Sequence, residues 1–202
     1  MEVSRHLTWH QAMVGKEQRI KLNGHRPALL WLTGLSGAGK STIAQHLDAR
    51  LFVLGLHSYV LDGDNIRHGL NNDLGFSAAD RRENIRRVGE VAKLFVDAGF
   101  IVSAAFISPF RADRDAVRKL FEPGEFFEIL VKCSLEKCRA RDPKGLYQQA
   151  INGELAEFTG ISSPYELPTT PELTLDTEAL SAEQAVEKIF ELLIARKIVP
   201  GG

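Results

Sequence analysis

Gly34-Leu35-Ser36-Gly37-Ala38-Gly39-Lys40-Ser41 fits the spacing G-x-x-x-x-G-K-[ST] in full. Glycines at these positions let the chain turn until successive backbone N–H groups face one point. A helix starting directly after the loop adds the positive end of its dipole, so that point favours an anion. Lys40 brings a mobile positive charge suited to β- and γ-phosphates, and the Ser41 hydroxyl, followed by Thr42, is an oxygen ligand suited to Mg²⁺. The chemistry is nucleoside triphosphate binding. The loop alone leaves the acceptor of any transferred phosphate open.

Three further clusters bear on the acceptor. Asp62-Gly63-Asp64-Asn65-Ile66-Arg67 sets two carboxylates beside an arginine. One carboxylate can orient Mg²⁺ through water while the other takes a proton from an attacking hydroxyl. Taken alone, the same string also fits a polar turn capping the next helix. Gly75-Phe76-Ser77 leads into Asp80-Arg81-Arg82-Glu83-Asn84-Ile85-Arg86-Arg87. A first helical turn dense in arginine beside an exposed Phe suits a substrate with an anionic group and a flat base. Its alternative is a solvated charged face with Glu83 paired to Arg87. The third cluster runs through Asp142-Pro143-Lys144-Gly145-Leu146-Tyr147, Phe158-Thr159-Gly160-Ile161 and Pro164-Tyr165-Glu166. Lys144 and Phe158 could close over a bound substrate and expel competing water.

These clusters need a frame. Ala28 to Thr33, an apolar run ended by Gly34, reads as a buried strand. Ser41 to Gly55 has helical periodicity. Ser58 to Leu61 is a second strand, followed by a polar turn at Asp62-Gly63-Asp64. Arg81 to Gly99 is the longest amphipathic pattern, with Asp80 as its cap. Strand Phe100 to Phe106, helix Arg111 to Phe121, strand Phe126 to Val131 and a short helix Ser134 to Arg141 with Ser134 as N-cap follow. Residues 142–171 hold four of the eight prolines, which marks an irregular segment, read as a lid. Leu173 to Leu175 is a fifth short strand and Ala182 to Ile198 a closing helix. Alternating strands and helices imply a three-layer α/β domain over 27–202, with a parallel sheet of about five strands. Residues 1–26, with His6, Trp9 and His10, read as an arm or short helix packed on that body.

The 202 residues suit one full core. Lys plus Arg is 25 against 26 for Asp plus Glu, which argues against a general nucleic-acid binder. Cys133 and Cys138, five apart, lack the spacing of a zinc knuckle or a redox pair and read as intracellular thiols. Without a signal-like segment or an apolar run of about 20 residues, neither secretion nor a membrane span is expected, and the expected compartment is the cytoplasm.

The strings GLSGAGKST, LDGDNIRHGL, LGFSAADRRENIRR, FISPFRADRD, RDPKGLY and EFTGISSPYE resemble, in order, those of the adenylyl-sulfate (APS) kinase family. The resemblance implies a P-loop fold like that of nucleotide monophosphate kinases. It also implies phosphate transfer from ATP to APS, Mg²⁺, a homodimer and a place in sulfate assimilation. By matching position, Gly34 to Thr42 would hold the ATP phosphates, with Arg139 or Arg141 near the adenine. Asp64, Arg67, Phe76, Arg81, Asn84, Ile107, Ser108, Lys144, Phe158 and Thr159 would line the APS site, with Phe76 and Phe158 on either side of its base. Asp64 would receive the proton, Asp62 would stand in the second shell of Mg²⁺, and Ser108, a possible phosphoserine intermediate in the family, is expected to bind substrate. Departures from the family pattern fall in the lid, at Gln148-Gln149-Ala150-Ile151 and at Ser162, where relatives often carry Asp. No fused ATP sulfurylase is expected within these residues.

Overall fold

In β1 (Ala28–Thr33) every side chain is buried, because helices cover the strand on both faces. The computed structural model describes residues 7, 8, 10–155 and 157–201, so His6 and Trp9 lie outside the described residues. Ala28, Leu30 and Leu32 pack on one side with α2 (Lys40–Val53) and α8 (Ala182–Ala195). Leu29 and Trp31 pack on the other with α4 (Ala78–Asp97) and α5 (Arg111–Arg118). Trp31 is stacked between Phe106 and Phe126 at centroid distances of 5.8 and 6.2 Å.

The sheet is fully parallel, in the order β2-β3-β1-β4-β5, with β2 Ser58–Asp62, β3 Ile101–Ala105, β4 Phe126–Lys132 and β5 Leu173–Asp176. Helices on both faces make the three layers expected from the alternation of elements. The four strand-to-strand registers bring all carboxyl ends to one edge, the edge where open parallel sheets bind ligands.

Several local expectations change. The string after β2 opens directly into a short helix, α3 (Gly63–His68), which Asp62 caps by accepting the Asp64 N–H at 3.0 Å, in line with the capping alternative for this string. The long helix starts earlier than read, because Ser77 and not Asp80 is its N-cap, accepting the Asp80 N–H at 3.2 Å. Two short helices, α6 (Leu135–Arg141) and α7 (Leu146–Ile151), flank Pro143, so the segment read as irregular carries a helical turn of its own. Ser134 caps α6 as read. α1 (Lys16–Asn23) is tied to the body by Lys16, 2.6 Å from Glu125, and by Asn23, which donates to the Gly99 carbonyl at 3.1 Å. No helix among the described residues is long and apolar enough to cross a membrane.

At the amino ends of the strands, His25 is 3% exposed. Its Nε2 accepts the His57 backbone N–H at 3.2 Å, and its Nδ1 lies 3.2 Å from the Arg26 carbonyl. A neutral ring protonated on Nδ1 satisfies both contacts, whereas a second proton would face an N–H donor. Burial, with His57 alongside, holds this imidazole below its ordinary 6.5. Its stability contribution is therefore intact above 6.5 and lost as pH falls through the lowered pKa. The thermal midpoint should fall between about pH 7 and pH 5.5. His25→Gln, followed by scanning fluorimetry, should flatten that slope.

Candidate active site

A cavity of about 1050 Å³ opens at the carboxyl edge of the sheet. The phosphate-binding loop and start of α2 form one part of its wall. The cavity continues past Asp62 and Asp64 to Arg67, Phe76, Arg81 and Asn84, over Ile107 and Ser108, and under Lys144, Phe158 and Thr159.

The loop has the backbone its glycines allow, with Gly34, Gly37 and Gly39 all at positive φ. Gly34 is also where the loop leaves β1 against β4, and a Cβ there would lie 2.4 Å from the Val131 carbonyl oxygen. That neighbour is sheet backbone and cannot swing away. Gly34→Ala should therefore lose about 1–3 kcal/mol of stability, through overpacking, and weaken ATP binding. Thermal denaturation and calorimetric titration would check this.

Lys40 is buried, and its ammonium donates to the Gly34 and Leu35 carbonyls at 2.9 and 2.7 Å. Burial lowers its pKa from 10.5 to about 8. Ser41 donates to Asp62 Oδ2 at 2.6 Å. Asp62 thus spends one oxygen on the α3 cap and the other on Ser41, while the half-exposed Asp64 carboxylate pairs with Lys144 from the segment between α6 and α7. Arg141 reaches back to the loop, donating to the Gly37 carbonyl at 3.3 Å and the Thr177 carbonyl at 2.6 Å. Arg139 is not part of the cavity wall.

On the far wall, Arg67 donates to the Leu74 and Gly75 carbonyls at 3.0 Å each, and its guanidinium lies 4.4 Å from the centre of the Phe76 ring. Phe76 is 60% exposed. Arg81 links the two walls: it donates to the Phe76 carbonyl at 2.7 Å, to Thr159 Oγ1 at 2.5 Å and to the Glu157 carbonyl. The buried Asn84 receives the Asn71 amide on its Oδ1 at 3.0 Å. Phe158 is buried edge-on against Tyr147, with ring centroids 5.0 Å apart. The Ser162 hydroxyl accepts the Phe158 N–H at 2.9 Å, so Ser162 serves this turn directly.

The arginine-rich helix divides. Arg81 enters the cavity wall, whereas Arg86 and Arg87 pair with Glu83 on the surface and Arg82 lies 3.5 Å from Asp113. The pairing of Glu83 with Arg87 is the surface-charge alternative weighed for that stretch. Ser108 is buried at φ 42°; its hydroxyl accepts from Trp31 Nε1 and donates to Thr33 Oγ1, both at 3.0 Å.

Sequence reasoning missed the residues that brace the site. Tyr147 donates to the Ser36 carbonyl at 3.0 Å and Thr177 to the Ala38 carbonyl at 2.9 Å, both supporting the loop from outside. Tyr147 sits in the string RDPKGLY, whereas Thr177, just past β5, carries no sequence signal.

A glycine-rich anion cradle with its lysine, a carboxylate pair and a basic, aromatic far wall, on a five-stranded parallel sheet, define a P-loop kinase for a small acceptor. Residues 26–176 match the model of a family described as adenylylsulphate kinase. The chain is 62% identical over 192 residues to a probable adenylyl-sulfate kinase of Halalkalibacterium halodurans, with 95% of each chain covered. It is 57% identical over 195 residues to the adenylyl-sulfate kinase of Geotalea daltonii, with 96% of each covered. Among solved structures, the APS kinase of Mycobacterium tuberculosis in complex with AMPPNP and APS matches with a TM-score of 0.81 at 46% identity, over 84% of this chain and 98% of that one. The chain belongs to the adenylyl-sulfate kinase family.

Proposed function

We propose that the protein transfers the γ-phosphate of ATP to the 3′-hydroxyl of APS, giving ADP and 3′-phosphoadenylyl sulfate (PAPS), in sulfate assimilation. The observation that carries this reading is the single cavity joining the phosphate cradle to the Arg- and Phe-bearing wall. ATP phosphates lie along Gly34 to Thr42, with Lys40 following the γ-phosphate and Arg141 beside the nucleotide. The APS base stacks on Phe76 and Phe158, Arg67 and Arg81 meet its anionic end, and Asn84, Ile107, Ser108, Lys144 and Thr159 complete the pocket. Asp64 receives the proton of the 3′-hydroxyl.

The donor set fits Mg²⁺: the Ser41 hydroxyl and Asp62 carboxylate stand 2.6 Å apart and are hard oxygen ligands. Ser41 would hold the ion directly and Asp62 through water. Bound Mg²⁺ supplies charge neutralisation at the β- and γ-phosphates. Ser108 acts by position and not as a phosphate carrier, since the partners of its hydroxyl, Trp31 Nε1, Thr33 Oγ1 and the Phe106 carbonyl, include no base to activate it. Direct in-line transfer needs only placement and charge stabilisation.

The lid of 142–171 closes over the acceptor through Lys144 and Phe158. A cytoplasmic homodimer belongs to the same reading. Exposed Phe52, Val53 and Leu54 at the end of α2, with Tyr59 on edge strand β2, offer apolar surface that a second copy would cover.

The test is to incubate the protein with Mg·ATP and APS and to follow ADP and PAPS, with adenosine 5′-monophosphate and gluconate as control acceptors. PAPS formation that depends on APS supports the reading. ATP binding without PAPS overturns it.

A further inference from the structure

Arg114 lies on α5 outside the cavity wall and is 1% exposed, among the most deeply buried charged side chains described. Its guanidinium donates to three separate pieces of chain: Nε to Glu128 Oε1 on β4 at 2.6 Å, Nη1 to the Ser108 carbonyl at 2.7 Å, and Nη2 to the Glu166 carbonyl at 2.8 Å. Ser108 belongs to the floor of the acceptor site. Glu166 lies in the returning end of the lid segment 142–171.

Both pieces are held a second time. Ser108 has a positive φ, uncommon for a residue other than glycine, and Trp31 and Thr33 grip its hydroxyl. The Glu166 N–H donates to the Pro109 carbonyl at 2.8 Å, and its carboxylate accepts the Arg111 N–H at 2.8 Å, at the start of α5. The Tyr165 hydroxyl meets Thr33 Oγ1 at 2.9 Å, and Thr33 in turn donates to the Ile107 carbonyl at 2.7 Å. Beside the direct Glu166–Pro109 backbone contact, two side chains, Arg114 and Tyr165, therefore join the floor to the lid return.

We propose that Arg114 and Tyr165 are positioning residues for the transfer: a clasp that fixes the acceptor floor, Ile107 to Pro109, against the returning end of the lid. The proposal rests on the reading of this cavity as the acceptor site. A guanidinium suits the task because its planar fork serves three acceptors in one geometry, which the point charge of lysine cannot. A buried Arg–Glu pair is a weak source of stability compared with apolar packing. Its three-way reach gives it a geometric use instead.

Three variants test this: Arg114→Lys, Arg114→Met combined with Glu128→Gln, and Tyr165→Phe. The double variant leaves no unpaired buried charge, and the last removes one oxygen only. Each is assayed for kcat and KM toward APS at saturating ATP, for ATP affinity without APS, and for thermal midpoint. The clasp predicts a fall in kcat/KM for APS of about 10–100-fold in the Arg114 variants and about 3–10-fold in Tyr165→Phe, the scale of one or two lost hydrogen bonds. ATP affinity should stay within about twofold, because the phosphate cradle is braced by other residues. A lower thermal midpoint with unchanged APS kinetics would reduce both residues to structural support and overturn the proposal. If the Arg114 variants do not fold, Tyr165→Phe decides by the same criterion. Wild-type protein that binds ATP but makes no PAPS would remove the acceptor reading and the clasp with it, an outcome distinct from normal turnover with insensitive variants.

Discussion

Asp64→Asn is expected to lower kcat about 10²–10⁴-fold while ATP affinity stays near that of the wild type. Of the two carboxylates at the end of β2, only Asp64 is free to take part in proton transfer. Asp62 is committed, one oxygen to the N-cap of α3 and the other to Ser41. Asp64 is half-exposed in the cavity, and its described side-chain partner is Lys144, a lid residue with an equally exposed side chain. The asparagine keeps the shape and loses the ability to accept a proton. Steady-state kinetics with APS, beside calorimetric ATP titration, separates the two effects. Unimpaired PAPS formation by this variant would remove Asp64 from the proton-transfer role without touching the overall reaction.

Lys40→Met should cost about 10²–10³-fold in kcat, the scale of losing one preorganised charge-stabilising donor. Lys40 is buried at the foot of the cradle, and its two present partners are backbone carbonyls rather than carboxylates. That leaves its full charge for phosphate. It also gives a pH signature. Burial holds its pKa near 8, so the free protein loses this charge as pH rises through that value. ATP phosphates favour the protonated form. ATP binding should therefore weaken above about pH 8 and be accompanied by proton uptake. Calorimetric titrations in buffers of different ionisation enthalpy would measure that uptake, and Lys40→Met should abolish it.

Features that depend on local chemistry and on period were legible in the residues alone. β1 ends at the residues the apolar run marks, because a strand covered on both faces is mainly apolar and Gly34, at positive φ, turns the chain out of it. The cradle is set by glycine spacing, and Ser134 caps α6 as any serine before a short amphipathic turn can. Where two local signals competed, the reading was decided elsewhere. Ser77 and Asp80 are both good caps, and Ser77 prevails because its hydroxyl reaches the Asp80 N–H while the Asp80 carboxylate accepts from that same hydroxyl. α7 was hidden by the prolines and glycines around it, and it forms where Tyr147 and Ala150 find buried places.

Which of several equivalent residues face the cavity depends on packing between distant elements. Arg81, Arg82, Arg86 and Arg87 read alike in the string, yet only Arg81 meets the lid, because helical phase and the position of Glu83 turn the others outward or toward α5. Trp31 and Thr33 of β1, Ser108, Arg114 and Tyr165 come from four places along the chain. Their hydrogen bonds exist only once β1, α5 and the lid return are packed together. Periodicity and motif spacing report what a residue does with its neighbours in sequence, whereas this buried polar network also draws on partners 52, 75 and 132 positions away, which only the folded chain brings within hydrogen-bond distance.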